Sequence, residues 1–174
     1  TLISPKAATG LVVGAATQYG TANVWGVSET VSLPGRVNHG DVSAFSGRGP
    51  GANGTQAVDV VANGMAGTGA YPFNVSGDGT QAYVHWKGTS RSAPVAGGMA
   101  ALAAQAFHQA QGRFPTYEEL HGLLVNAAQD LGYDPLVQGA GQVNVYRAVQ
   151  LALGAYGVTV DPAVVQAGDF RGEP

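Results

Sequence analysis

The stretch of sequence that decides the fold is Gly88-Thr89-Ser90-Arg91-Ser92-Ala93-Pro94-Val95-Ala96-Gly97-Gly98. It lies between a short apolar and aromatic run at residues 82–86 and an alanine-rich run at residues 94–107. This order predicts a strand, a tight glycine turn and then a helix. The turn would place the hydroxyl of Ser90 at the start of the helix, where unpaired N–H groups and the helix dipole favour a negative charge.

A serine at such a position has two interpretations. It can act as a nucleophile, with its own N–H helping to hold the oxyanion that its attack creates. Alternatively, Thr89, Ser90 or Ser92 only caps the helix, which is the commoner use of hydroxyl residues at helix starts. The Gly-Thr-Ser sequence taken alone favours capping, so the rest of the chain has to decide between the two.

The composition restricts the class of protein. A chain of 174 residues suits about one domain, and 45% hydrophobic against 11% charged residues indicates a globular core. A net charge of −3 with scattered basic residues gives no footprint for nucleic acid. No apolar run approaches the roughly 20 residues of a membrane span. We therefore expect neither a nucleic acid nor a membrane as partner. The absence of cysteine excludes disulfides and thiolate metal sites.

Three elements are predicted upstream of the Ser90 turn. Residues 10–17 and 57–62 are short apolar runs typical of buried parallel strands. Asp59 interrupts the second run, and we expect it to be a hydrogen-bonded structural carboxylate. Aromatic and β-branched residues at 71–75 and 81–86 flank an Asp-Gly turn, which predicts a β-hairpin leading into the Ser90 turn.

The sequence after Ser90 predicts three helices. The first is small on nearly every face, so we expect it to be buried all round and expect a large residue at Gly97 to overpack it. Thr116 and Glu119 form a capping-box pattern that opens an amphipathic surface helix, ended by Gly132, with His121 facing solvent. Residues 143–153 form the third helix.

Five blocks of sequence together resemble the subtilisin-like serine peptidases. The stretch Gly-Thr-Ser-x-Ser-x-Pro, followed by a small-residue helix, resembles the nucleophile motif of that family. The other four blocks occur in the family's order and are residues 12–16, 45–50, 59–64 and 139–144. The resemblance implies an α/β fold, a three-layer parallel sheet with flanking helices. Residues 1–155 would be the C-terminal portion of that domain, and residues 156–174 the start of a following segment or linker.

The resemblance implies a role for each residue of the motif. Ser90 would be the acyl-forming nucleophile of a peptide or protein hydrolase, its N–H would be an oxyanion donor, and Gly88 and Thr89 would line the pocket. The family's catalytic Asp, its His and its oxyanion Asn precede the strand matched near the start of this chain, following the order Asp, His, Ser. We therefore expect the chain alone to be inactive. Because an incomplete sheet exposes an edge, we also expect the chain to pair with the missing N-terminal half of the domain or with another copy of itself, or else to have settled into a smaller reorganised sheet.

Three residues depart from the family's usual pattern. Arg91 stands where Met is usual, Asn63 where Pro is usual, and Gly47 where Ser is usual. Arg91 would lie beside the leaving-group pocket. It is therefore a candidate substrate-binding residue that favours acidic residues after the scissile bond, or the mark of a site that no longer turns over.

The two histidines that precede Ser90, one in a predicted loop and one in a predicted strand, are not convincing candidates for the catalytic base. His39 has nothing near it in sequence to orient an imidazole, and the intervening turn separates His85 from Ser90. No cofactor is evident and no metal ligands are assigned. Calcium is implied by the resemblance only, because no acidic cluster has calcium-loop spacing. The resemblance also implies a secreted or extracellular protein.

Two further interpretations stay open at this stage. The chain could be a degenerate, non-catalytic member of the family that serves as a structural or interaction module. Thr1 could instead be an N-terminal nucleophile, although the Pro5 that follows and the absence of a matching sandwich pattern argue against it.

Overall fold

The computed structural model describes residues 10–17, 41–51, 56–65, 67–70 and 82–155. Within these ranges lie four strands and four helices, in the order β1 Val13–Ala16, β2 Val60–Asn63, β3 Gly67–Ala70, β4 Tyr83–Trp86, α1 Thr89–Gln111, α2 Tyr117–Asn126, α3 Pro135–Gln138 and α4 Val145–Ala152. The predicted α/β class is confirmed. His39, the predicted arm at residues 71–75 and the segment at residues 156–174 lie outside the described residues, and the domain boundary at residue 155 stays a prediction.

The parallel pair β1–β2 forms the centre of the fold. The strands are aligned from Val13 opposite Val60 to Ala16 opposite Asn63, and most of their residues are buried. Both come from the short apolar runs predicted to be buried strands. On the far side of β2, the N–H of Val61 donates to the carbonyl of Gly141 (2.9 Å). The segment around Gly141 therefore extends the β1–β2 pair on this side. This agrees with strands as apolar as β1 and β2, which are typical of the interior of a parallel sheet.

A loop follows the other edge of β1. The Ser43 N–H donates to the Ala15 carbonyl (2.9 Å) and the Thr17 N–H donates to the Asp41 carbonyl (2.8 Å). The buried hydroxyl of Ser46 accepts from the Ala15 N–H (2.9 Å). Residues 41–46 thus satisfy part of the β1 edge, and unpaired edges are where sheets otherwise associate.

The strand β4 lies within the second predicted arm, residues 81–86, whereas the first arm lies outside the described residues, so the predicted hairpin stays a prediction. β3 pairs antiparallel with β4, with Gly67 opposite Trp86 and Ala70 opposite Tyr83. The sequence Gly-Thr-Gly-Ala carries no aromatic or β-branched signal strong enough to announce a strand. Gly69 lies opposite Val84, and a Cβ on Gly69 would lie 2.7 Å from the Trp86 Nε1, so the glycine accommodates the close approach of the indole.

Helix α1 packs against β1 and β2 on one side and against α2 and α4. Its buried face carries Ala103, Ala106 and Phe107, which adjoin the apolar side chains of the core. The main cluster of that core consists of Val60, Ala103, Leu124, Val125, Ala127, Val143 and Ala148.

The opposite face of α1 is open. Gly97, Gly98 and Ala101 are exposed, and Leu102 is 51% exposed. Nothing among the described residues lies within 4 Å of a Cβ built on Gly97. The prediction of all-round burial is therefore wrong for the part of the chain described, because no element there covers this face. Overpacking at Gly97 depends on a covering element that the described residues do not supply, and it stays a prediction for the complete gene product.

The C-terminal helices follow their local signals closely. The capping box of Thr116 and Glu119 is present at the start of α2. The helix ends at Asn126 and not at Gly132, although Gly132 does have the positive φ (80°) expected of it. α4 occupies most of the predicted range, with the side chain of Asn144 accepting from the Arg147 N–H (3.1 Å). The short helix α3 begins at Pro135, and Asp134 is its N-cap. We did not predict this helix, although an Asp cap followed by Pro is a clear local signal for one.

Asp59 and His121 join the sheet to α2. Asp59 is buried, and its Oδ2 accepts from the Val12 N–H (2.7 Å), in agreement with the structural role predicted for it. The Nε2 of His121 lies 3.4 Å from the other carboxylate oxygen of Asp59. The prediction that His121 faces solvent is wrong, since its side chain is only 20% exposed. The helical pattern of α2 indicates which residues face the core, but it does not show that a buried carboxylate lies opposite His121.

None of the helices in the described part of the chain has the length and apolarity that crossing a bilayer requires.

Candidate active site

The start of α1 has no side-chain cap. The N-cap residue is Gly88, with φ 147° and ψ 160°, a conformation that is essentially restricted to glycine. The interpretation in which Thr89, Ser90 or Ser92 caps the helix is therefore wrong. The Arg91 N–H and, more weakly, the Ser92 N–H donate to the Gly88 carbonyl (3.0 and 3.4 Å).

Two N–H groups are left for another partner. Those of Thr89 and Ser90 have no acceptor among the described residues. The first turn of α1 also contains no acidic residue that would compete for them. The positive end of the dipole of this 23-residue helix therefore lies beside Ser90.

Ser90 is exposed at this position. The residue can therefore be reached from solvent, and its N–H belongs to the first turn of α1, where it has no acceptor among the described residues. A buried hydroxyl would have ruled out nucleophilic attack. An exposed serine beside N–H groups that have no acceptor among the described residues is compatible with acyl transfer, which needs a reachable hydroxyl and oxyanion donors.

The Ser90 turn lies at the carboxyl ends of the two parallel strands. The Gly64 N–H donates to the Ala16 carbonyl at the end of β1 (3.0 Å), and the Gly88 N–H donates to the Gly64 carbonyl (2.8 Å). Ligand sites of parallel α/β sheets are found beyond this end of the strands. The backbone of Gly64 therefore connects the sheet directly to the residue that begins α1.

Gly64 can make this connection only because it lacks a side chain. A Cβ there would overlap the Ser92 Oγ and would lie 2.6 Å from the Ala15 Cβ. Ser92 is fully buried, and its hydroxyl has no hydrogen-bond partner among the described residues. Ser92 is thus a packing residue, in contrast to Ser90 two positions earlier.

Gly88 and Thr89 are both partly buried beside Ser90. Thr89 borders a cavity of about 210 Å³. The remaining lining residues are Val12, Val13, Gly14, Phe45, Gly47 and Val58. The cavity is predominantly apolar and adjoins the Ser90 turn through Thr89. The roles of Gly88 and Thr89 in a substrate pocket stay predictions.

The histidines whose side chains are described do not lie beside Ser90. His108 lies in the last turn of α1, at the far end from Ser90. His121 contacts Asp59, which precedes β2, whereas the Ser90 turn meets the other end of that strand. Among the side chains that the structure describes, no histidine is therefore placed to take the proton of Ser90.

Arg91 turns toward the segment that follows β2. Its Nη1 donates to the Oδ1 of Asn63 (2.7 Å), to the carbonyl of Asn63 (3.2 Å) and to the carbonyl of Met65 (3.1 Å). Sequence reasoning missed this contact. A signal for it existed, since Arg91 and Asn63 are two of the three departures from the family pattern and prove to be partners.

Titratable groups near α2 have perturbed pKa values for local reasons. Burial, followed by the charge of Asp59, raises the pKa of Tyr117, whose hydroxyl donates to the Gly10 carbonyl (3.2 Å). The hydrogen bond from Arg113 lowers the pKa of Glu119 to about 2, with further contributions from the Thr116 cap. Among the described residues, no group of three or more His, Asp or Glu side chains is placed to hold a metal ion.

The model of the subtilase family matches residues 4–143, which is most of the chain. The chain belongs to the subtilase family. The match includes β1, β2, the Ser90 turn and α1, so it covers the candidate active site of this subtilase together with the sheet that supports it.

Solved structures support the same fold. The chain is similar to a lanthipeptide protease, with 24% identity and a TM-score of 0.54, over 64% of this chain and 38% of that one. It is similar to the self-cleaved protease domain of PatA, with 24% identity and a TM-score of 0.57, over 84% of this chain and 43% of that one. The patellamide maturation protease PatA gives 24% identity, a TM-score of 0.56 and coverage of 84% and 44%.

These likenesses establish a partial subtilisin fold, as the resemblance implied. The chain spans about two fifths of the length of these three proteases. No curated protein matches the chain.

Proposed function

We propose that this subtilase chain carries the nucleophile of a serine endopeptidase. Ser90 Oγ attacks the peptide carbonyl carbon while a histidine from outside the described residues takes its proton, and the carbonyl oxygen becomes an oxyanion held in part by the Ser90 N–H. Protonation of the leaving amine by the same histidine gives the acyl-enzyme, which water then hydrolyses. The observation that carries the proposal is the exposed Ser90 at the uncapped start of α1.

We further propose that the catalytic Asp, the His and the oxyanion Asn come from the N-terminal half of the domain or from another copy of the chain. The open face of α1 supports this, because no described residue lies within 4 Å of a Cβ built on Gly97. The cavity that Thr89 borders, next to the Ser90 turn, is a second place that a further segment would fill. The extent of the structural matches, about two fifths of each protease, agrees. The described chain alone would then be inactive.

The substrates in this proposal are peptides or proteins. The secreted location and calcium binding stay proposals that rest on the family resemblance alone. A calcium titration monitored by thermal unfolding of the complete gene product would test the second of these, with no change in Tm counting against it.

Covalent labelling tests the role of Ser90. A fluorophosphonate probe should label the complete gene product, and Ser90→Ala should abolish both labelling and cleavage of a peptide ester. Ser92→Ala is the matched control, because it removes a neighbouring hydroxyl that is buried and should leave labelling intact. Labelling that persists in Ser90→Ala would show that the nucleophile is elsewhere.

The alternative function is a non-catalytic structural or interaction module. It is favoured by one observation, that no described histidine side chain lies beside Ser90. A complete protein that is folded, as judged by a cooperative thermal transition, but is not labelled at Ser90 would support the module and reject the peptidase.

A further inference from the structure

We propose that Arg91 is a positioning residue for Ser90. Together with Asn63 it ties the turn after β2 to the first turn of α1 and thereby fixes the backbone of Gly88–Ser90. We call this group, which consists of the Arg91 and Asn63 side chains and the Met65 carbonyl, the Arg91 clamp. Its effect on the reaction rests on the proposed function of Ser90, whereas its effect on the turn does not.

The clamp is a set of convergent hydrogen bonds. The Arg91 Nη1 reaches Asn63 Oδ1 (2.7 Å) and the carbonyls of Asn63 (3.2 Å) and Met65 (3.1 Å). Asn63 Oδ1 also accepts from the Met65 N–H (3.1 Å). The side-chain oxygen of Asn63 therefore accepts hydrogen bonds both from its own turn and from α1. The position of the turn and the position of the first turn of the helix are thus coupled.

The backbone around the clamp is shaped to receive the guanidinium. A Cβ on Gly67 would overlap the Nε, Cζ and Nη2 of Arg91, so the guanidinium lies directly against the Gly67 backbone. Only glycine allows an approach this close. Arg91 is also only partly exposed, as expected for a side chain that lies in a fitted position and not free in solvent.

The clamp acts on both sides of Ser90 in the sequence. Arg91 follows Ser90 directly, and its own N–H donates to the Gly88 carbonyl (3.0 Å). Gly88, two residues before Ser90, donates its N–H to the Gly64 carbonyl (2.8 Å), between the two clamp residues Asn63 and Met65. The direction of the Ser90 N–H and hydroxyl therefore depends on a turn that Arg91 holds in place.

Asn63 and Arg91, two of the departures from the family pattern, compensate for each other chemically. The Pro that is usual at position 63 fixes a backbone dihedral covalently, whereas Asn63 has no such constraint and relies on hydrogen bonds. The Met that is usual at position 91 has no N–H to donate, whereas a guanidinium presents several donors in a rigid planar arrangement. Arg91 thus restores through hydrogen bonds the rigidity that Asn63 lacks.

This role differs from substrate binding, and the two make different kinetic predictions. A residue that contacts an acidic group of the substrate alters KM, and does so more for substrates with Glu than for those with Lys after the scissile bond. A residue that orients Ser90 alters kcat equally for both substrates, because misplacement of the nucleophile affects the chemical step.

The experiment compares Arg91→Met, Arg91→Lys and Asn63→Ala with the unaltered complete gene product. Arg113→Met is the matched control, since Arg113 is an exposed arginine whose partner is Glu119. The readouts are the rate of fluorophosphonate labelling, kcat and KM on the Glu and Lys substrates, Tm, and amide hydrogen exchange at residues 63–67.

We expect Arg91→Met to lower the labelling rate and kcat by about 10- to 100-fold, the scale on which small misplacements act. KM should change less than about twofold for both substrates, since no substrate contact is removed. Arg91→Lys should recover only part of the rate, because an ammonium group cannot reproduce the planar donor arrangement. Asn63→Ala should lower kcat as well, and its combination with Arg91→Met should do no more than the larger single change, because both variants break the same contact.

Three results would overturn the proposal. The first is a loss confined to KM for the Glu substrate, which would assign Arg91 to substrate binding. The second is a fall in Tm with an unchanged labelling rate and kcat. The third is unchanged amide exchange at residues 63–67 in Arg91→Met. If the unaltered protein is neither labelled nor active, the proposed peptidase function fails and amide exchange alone decides whether the clamp exists.

Discussion

The first turns of α1 and α2 differ in what becomes of their backbone N–H groups. At α2, the Thr116 hydroxyl accepts from the Glu119 N–H (3.3 Å), and Glu119 Oε2 accepts from the Thr116 N–H (2.8 Å). At α1, Gly88 has no side chain to offer, and the Thr89 and Ser90 N–H groups have no acceptor among the described residues.

This difference separates a helix start whose N–H groups are satisfied by its own side chains from one whose first N–H groups have no acceptor among the described residues. A capping side chain at α1 would satisfy the donors that an oxyanion needs, and an acidic one would repel the charge as it forms. Gly88 leaves these donors unoccupied, while the Arg91 clamp holds the turn from the side. At α2 no ligand is expected, and Arg113 strengthens the cap by a bidentate bond to Glu119 (2.8 and 2.6 Å).

The strongest test of the α1 start is Gly88→Ala. Its φ of 147° and ψ of 160° lie in a region that other residues avoid at a cost of about 1–3 kcal/mol. We expect the free energy of unfolding to fall by that amount in urea titration, and the Ser90 labelling rate to fall with it as the turn is displaced. Gly98→Ala is the control, because nothing among the described residues lies near its Cβ position. An unchanged labelling rate would mean that the turn tolerates a different backbone.

A second test compares the bodies of the two helices. The face of α1 at Gly97 is open in the described residues, and we propose that the rest of the domain covers it. In the complete gene product, Gly97→Leu should then lower the free energy of unfolding by about 1–3 kcal/mol through overpacking. Urea unfolding measures this. A stability that is unchanged or raised would show that the face stays open and would reject the proposed cover.

Thr116→Ala tests the start of α2 in the opposite sense from Gly88→Ala. Loss of a capping hydroxyl should lower the free energy of unfolding by about 1 kcal/mol, measured by urea titration. The Ser90 labelling rate should not change, because this cap serves stability only. Thr116→Ser, which keeps an acceptor, should behave like the unaltered protein. If Thr116→Ala also slowed labelling, the two helix starts would not be functionally separate.

The smallest expected effect is the pH dependence of the α2 cap. Hydrogen bonding to Arg113 lowers the pKa of Glu119 from 4.5 to about 2. Because the pKa is lower in the folded protein, the stabilisation is present above about pH 4.5 and is lost as the pH falls toward 2. Thermal unfolding of Glu119→Gln should therefore differ from the unaltered protein at neutral pH and converge with it in acid. Glu118→Gln serves as the control, and a constant difference across the range would contradict this assignment.

The elements marked by local chemistry were predictable from the sequence. The Gly-Thr-Ser turn, the capping box of Thr116 and Glu119 and the buried strand around Val60 each depend on residues close together in the chain. The candidate site was predictable to the same extent, because Ser90 and its N–H belong to a single turn.

Contacts between distant segments were not predictable in this way. Arg91 meets Asn63, which lies 28 positions earlier, and His121 lies against Asp59 where its helical pattern suggested solvent. Gly69 pairs with Val84 and lies close to the Trp86 indole, without any strand propensity of its own. In each case the partner decides the role of the residue, and the partner is brought near only by packing.

By itself, the sequence determined that a strand, a glycine turn and a small-residue helix place Ser90 at a helix start. Turn residues and caps act over a few positions, so their signals survive without the rest of the molecule. The tertiary structure decided that no side chain caps this start, that Arg91 holds the neighbouring turn, and that one face of α1 is left open among the described residues. These three features depend on contacts between segments that are distant in the chain. The sequence pattern of a single helix or strand does not indicate which other segments will pack against it.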